Sequence, residues 1–175
     1  MAFQPAPRRQ FSVRIYASDL IIDGQLEPLG HLLDDLNDAS KTGFLLHNAQ
    51  VRPLVKGSGT RPFALQRVTA DKSDFHLIYL SDADDRAGLT LMRRSEMVIG
   101  YTSRFVIRGH FHMGGETRLR DFVDGLSGTF LPASDATIFP LFQPSIDIPK
   151  RYPLLLVNKR QLRLYHPPEG AQEGE

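Results

Sequence analysis

The chain has 175 residues, 41% of them hydrophobic and 23% charged, with no cysteine and a formal charge of +1. Disulfides, zinc–thiolate sites, iron–sulfur clusters and cysteine nucleophiles are therefore excluded, and the near-neutral balance names no partner by itself. No run approaches the roughly 18 uninterrupted apolar residues that a membrane-spanning helix needs, so no membrane partner is expected.

Residues 1–10, "MAFQPAPRRQ", combine two prolines with polar residues and predict an unstructured arm. No apolar stretch of signal-peptide character follows, because charge interrupts "FSVRIYASDLIID", and the expected location is the cytoplasm. Residues 11–80 form the first predicted lobe. In "YASDLIIDGQLEPLG", alternation places Leu20, Ile22, Gly24 and Leu26 on one face of a strand and Ile21, Asp23, Gln25 and Glu27 on the other. "GHLLDDLND" sets Leu33 and Leu36 three apart, which predicts one or two helical turns. Asp34 and Asp35 on that turn read as capping or solvated acids rather than an acid–base pair. "KGSGTRP", from Lys56 to Pro62, lacks the spacing of a phosphate loop and reads as a hairpin loop. Two further strands, "FALQRV" and "DFHLIYL", close the lobe.

"SDADDRAG" (81–88) is polar and acidic and suits a linker. The second lobe, 89–167, repeats the pattern. Phe105, Ile107, Gly109 and Phe111 share one face of a strand, and Val106, Arg108, His110 and His112 share the other. "RLRDFVDG" spaces Leu119 and Phe122 for a short helix, and "YPLLLVN" and "QLRLYHP" supply the last strands. Residues 168–175 predict a disordered tail.

The two lobes look like one segment written twice. An offset of 85 aligns Tyr16 with Tyr101, Ser18 with Ser103, Ile22 with Ile107 and Gly24 with Gly109. With short insertions, Asp35-Leu36 meets Asp121-Phe122, Phe44-Leu45 meets Phe130-Leu131, Val51 meets Ile138, and Lys72 meets Lys159. The fold class expected is mainly β: two tandem small β-barrels or curled sheets, each with one short helix, packed as a pseudo-twofold pair. Neither lobe has enough residues to be comfortably stable alone.

Gly109 within a strand, Asp135-Ala136 after a later one, and Asn158-Lys159-Arg160 before an apolar last strand occur in the order seen in Sm-like small barrels. The second half therefore resembles that family, and the first half does so more faintly. The chain also resembles uncharacterised bacterial proteins built from such units. The resemblance implies a small-barrel fold. It does not carry over the family's RNA pocket, because "RDFVDG" and "DDLNDA" stand where an Asp-x-hydrophobic-x-Asn stretch would be.

Two candidate sites follow from the residues. His110 and His112 point the same way from a strand with Glu116 beyond them, a spacing similar to the first metal-binding motif of cupins. No second motif with a third histidine follows, and two exposed histidines on a strand is the plainer reading. The second candidate is basic: residues 85–167 hold 12 Lys and Arg against 7 Asp and Glu, whereas residues 1–84 hold 9 against 10. Arg104, Arg108, Arg118, Arg120, Lys159 and Arg160 would attract a phosphate backbone if they met on one face, with Tyr101, Phe139 and Tyr165 as stacking surfaces. No Gly-x-Ser-x-Gly elbow is present. The expectation is a non-enzymatic binding or scaffold protein without a cofactor. Its partner would be another protein or its own copy, met at a sheet edge or in the groove between lobes. A nucleic-acid-binding module is the alternative, with a cupin-like metal enzyme behind it.

Overall fold

A computed structural model describes residues 8–114, 119–121 and 128–170. Ten strands follow one another: β1 (Phe11–Ala17), β2 (Leu20–Leu26), β3 (Gly43–Pro53), β4 (Phe63–Asp71), β5 (Phe75–Leu80), β6 (Arg94–Tyr101), β7 (Phe105–Met113), β8 (Phe130–Pro140), β9 (Arg151–Asn158) and β10 (Leu164–His166). All join a single antiparallel sheet in the order β10-β6-β7-β8-β9-β5-β1-β2-β3-β4. The two expected small barrels or curled sheets are thus joined in one open sheet, whose edges among the described residues are β4 and β10. β5 and β9 make it continuous, with Leu77 opposite Val157 and Ile78 opposite Leu156.

Each half has the same internal order. In the first, β5 lies beside β1 and β4 is outermost; in the second, β10 lies beside β6 and β9 is outermost. The two outer strands of each half are joined by a three-residue 3-10 turn, Lys72–Asp74 or Lys159–Gln161. In a flat sheet, four strand spacings would separate β4 from β5 by about 19 Å. Asp71 would also sit at the Gly43 and Phe11 end of its half, and Phe75 at the Ala17 end. The linking residues reach about 14 Å at most. Each half must therefore curl, although no ladder between its outer strands closes it.

Local details recur at matching places in the two halves. The β2–β3 register breaks between Asp23 and Gln25, and the β7–β8 register between Arg108 and His110. Asn48 (φ 50°) and Asp135 (φ 49°) provide the extra residue on the facing strand, both in the left-handed region that short polar side chains tolerate. A Cβ on Gly24 would meet the His47 carbonyl at 3.2 Å, and one on Gly109 the Ser134 carbonyl at 3.2 Å. The glycines let neighbouring backbone approach. Asp71 and Asn158 each cap their 3-10 turn, accepting from the amides of Ser73 and Arg160. Register also corrects the sequence alignment. Phe130 stands opposite Asn158 as Gly43 stands opposite Asp71, so Phe44 corresponds to Leu131 rather than Phe130.

The faces of β7 are as the alternation predicts, with Phe105, Ile107 and Phe111 fully buried and Arg108 exposed. β2 departs from it at Ile21, which lies on the predicted polar face yet is fully buried. It joins Tyr16, Leu54 and Leu77 in a cluster made mostly of second-half residues. Conversely, Phe130 and Leu156 complete the first-half cluster. Each core thus takes side chains from the other half.

The helices differ from expectation. α1 (Leu32–Asn37) forms where a helical turn is expected, but its buried residues are Leu32, Asp35 and Leu36, and the predicted Leu33 is only half-buried. In the second half the described part of the expected helix is a 3-10 turn, Leu119–Asp121. The stretch read as a linker instead holds α2 (Ala83–Ala87), capped by Asp82 and tied by Arg86 to the Leu80 and Ser81 carbonyls. Of the predicted N-terminal arm, residues 1–7 lie outside the described residues, while Arg9 pairs with Asp85 at 2.6 Å. Of the predicted tail, residues 171–175 lie outside them. The pseudo-twofold arrangement is not what joins the halves. A twofold contact pairs equivalent strands, whereas β5 and β9 hold different places in their halves, so the junction runs head to tail.

Candidate functional site

The sheet edges expose side chains whose counterparts in the other half are covered. β4 is exposed along nearly its whole length, with Phe63 46% and Leu65 41% accessible. β9, which stands in the corresponding place, is almost wholly buried. Register equates Leu65, opposite Ala49, with Tyr152, opposite Ala136, and Tyr152 is only 4% exposed. The same holds at the other edge. Leu164 stands opposite Tyr101 as Leu77 stands opposite Tyr16, yet Leu164 is 58% exposed and Leu77 fully buried. The difference has one cause, since β5 and β9 cover each other and β4 and β10 have no neighbour on their outer sides among the described residues. An uncovered strand also leaves a row of backbone donors and acceptors available to another chain.

The β5–β9 junction is polar as well as apolar. Tyr16 and Tyr152 hydroxyls are 2.7 Å apart across it, both buried, and burial raises the pKa of each. The Asn158 amide donates to the carbonyls of Phe75 (2.7 Å) and Lys72 (3.3 Å). Gln161 donates to the Ser73 carbonyl at 2.6 Å. Away from this ladder, Asn37 Oδ1 accepts from the amides of Thr129 and Phe130, both at 2.7 Å, and so fastens α1 to β8.

The predicted basic residues are only partly brought together. Arg104 is paired with Asp19 at 2.6 Å. Lys159 and Arg160 belong to the 3-10 turn beside the junction. Arg118 and the Arg120 side chain lie outside the described residues. Arg108 is exposed at the centre of the second half, in one cross-strand row with Thr137 and Arg151. In the first half the matching position is Asp23, clamped by Arg14 (2.6 and 3.1 Å) and Arg52. That ion pair holds Arg14 charged. Ile99 and Phe139 take the places of those arginines around Arg108. Arg151 is among the basic residues counted over 85–167, and its row with Arg108 depends on the β8–β9 register.

His112 uses both ring nitrogens within the fold. Nδ1 is 2.8 Å from the Met92 carbonyl and Nε2 is 2.8 Å from Ser134 Oγ. A carbonyl only accepts, so Nδ1 donates to it, and in the neutral ring Nε2 accepts from the serine. A metal would have to displace one of these bonds. His110 pairs with Met97 and Ser134 along the ladder, and Glu116 lies outside the described residues. Among the described residues, no three His, Asp or Glu side chains are grouped to hold a metal ion.

A cleft of about 690 Å³ lies where α1 and α2 face the start of β8, lined by Leu32, Leu33, Asp85, Leu89, His112 and Phe130 among others. His76 is a further buried titratable group. It lies in the sheet near the junction, with Nε2 3.3 Å from Ser18 Oγ, and burial lowers its pKa to about 4. No helix among the described residues is long and apolar enough to cross a membrane. No protein-family model, curated protein or solved structure matches the chain.

Proposed function

We propose that the chain is a non-enzymatic binding or scaffold protein, built by duplication of one five-stranded lobe, that works by adding strands to the open edges of its sheet. The observation that carries this reading is the contrast between matching positions. Leu65 and Leu164 are exposed where Tyr152 and Leu77 are covered. Duplication itself is supported by the shared strand order, the paired bulges, and Asn48 and Asp135 sharing a left-handed backbone. The halves succeed one another head to tail.

Strand addition joins main chain to main chain and gains selectivity from the alternate side chains that it covers. Hydrogen exchange on protein purified from its own host, before and after dilution, tests this use of the edges. Amides of β4 and β10 should be protected at first and exchange faster after dilution. Equal, fast exchange in both samples would contradict it.

A nucleic-acid module is the second reading, favoured by Arg108 and Arg151 standing in one exposed row beside Phe139. It requires oligonucleotide affinity that falls steeply with salt and drops on Arg108→Glu.

A further inference from the structure

We infer that the cleft where α1 and α2 face β8 binds a small amphipathic cation, an amine or guanidine on an apolar body, and that Arg9 fills its cation subsite when no ligand is bound. None of the described residues lining the cleft belongs to β4 or β10, so the site is independent of the sheet edges.

The subsite has two walls, the Asp85 carboxylate on α2 and the ring of buried Phe11 at the start of β1. Arg9 Nη2 donates to Asp85 Oδ1 at 2.6 Å, and the guanidinium carbon lies over the Phe11 ring, 4.9 Å from its centroid. A carboxylate beside an aromatic face selects a cation, by charge and by the negative face of the ring. The two partners are held very differently. The Asp85 side chain is 11% exposed, whereas that of Arg9 is 63% exposed. A carboxylate so covered needs a cation beside it, but an arginine largely in water gains little from the pair. Arg9 lies outside the helices and strands, and its neighbours Arg8 and Gln10 both reach Glu27. Its side chain can therefore swing away while the flanking residues keep the backbone in place.

The rest of the cleft sets the ligand's other end. Leu33, Leu89, Phe130 and exposed Met92 form an apolar wall, and the volume of about 690 Å³ is in the range that encloses a drug-sized molecule. Arg9 is the one lysine or arginine among the described lining residues, which also include Asp34 and Asp85. With Arg9 withdrawn, the carboxylates repel an anion. An inorganic cation would leave the apolar wall in water. A cationic head on an apolar body satisfies both, the head replacing Arg9 at Asp85 and Phe11 and the body covering the leucines.

The chain has no tryptophan, so Met92→Trp places a single fluorescent reporter at the cleft. It is titrated with octylamine, octylguanidine, octanol and octanoate at pH 8, where an ordinary imidazole is neutral and His31 and His112 need not be counted as cations. The inference predicts saturable binding of the two cations, at least tenfold tighter than that of octanol or octanoate. On the same background, Arg9→Ala should tighten octylamine binding about two- to fivefold by removing the competitor. Asp85→Asn should weaken it roughly tenfold or more by removing the ionised partner. A pair that merely supports the cleft would give losses of the same sign from either side. The inference is overturned if none of the four compounds binds, if octanol or octanoate binds as tightly as octylamine, or if Arg9→Ala weakens binding or leaves it unchanged. Where Asp85→Asn does not fold, Arg9→Ala and the octanol comparison decide it.

Discussion

At the scale of single residues, buried polar groups mark where the halves meet. The Tyr16 and Tyr152 hydroxyls satisfy one another inside the shared core. Tyr152→Phe removes the hydroxyl bonded to Tyr16 in the buried core and should cost about 1–3 kcal/mol in chemical denaturation, whereas Phe at both positions should be closer to neutral. His76 adds a pH dependence. Its folded pKa of about 4 lies below the ordinary 6.5, because burial disfavours the imidazolium, reinforced by Arg104 and Arg163 and opposed by Asp74 and Asp19. The unfolded chain thus binds a proton between these values and the folded chain does not. Stability from this source is complete above about pH 6.5 and declines as pH falls toward 4, by about 3 kcal/mol in all. Denaturation of wild type and His76→Gln at pH 7 and 4.5 should show a smaller loss in the variant. An equal loss would place the protonated imidazole comfortably within the fold. None of this was legible from residue types, since a His in "DFHLIYL" looks the same whether it faces solvent or a second lobe.

At the scale of elements, the strands were largely legible because alternation is a local property. The faces of β7 follow from the spacing of Phe105, Ile107 and Phe111. Gly24 and Gly109 were recognisable as glycines in equivalent places within strands, and their role at the two bulges is to let neighbouring backbone approach. Gly109→Val should force its side chain against the Ser134 carbonyl and destabilise the fold by about 1–3 kcal/mol in thermal or chemical unfolding. Other features depended on distant partners. Ile21 reads as part of a polar face and is buried because residues far along the chain cover it. The alignment at the start of β3 and β8 slipped by one residue, since it matched Phe44 to Phe130 by identity and only the ladders reveal the register. α2, within the predicted linker, is five residues long, too short for a periodic signal.

At the scale of the molecule, the sequence carried two lobes but not their connection. Two small barrels and one continuous sheet have the same local pattern, and the choice depends on β5 finding β9 rather than solvent. Because each core borrows side chains from the other half, the chain should unfold in a single calorimetric transition. Separate transitions for the halves would contradict this shared core. The candidate site was legible only in outline. A sheet edge was named among the possible contacts, but which strands form it follows from topology. The direct measurement is sedimentation equilibrium of the wild-type chain across a range of concentrations, beside Leu65→Lys and Leu164→Lys. Assembly through the open edges predicts a mass that rises with concentration in the wild type and stays at one chain in both variants. A wild-type mass fixed at one chain, or a rising mass that neither substitution alters, would contradict it.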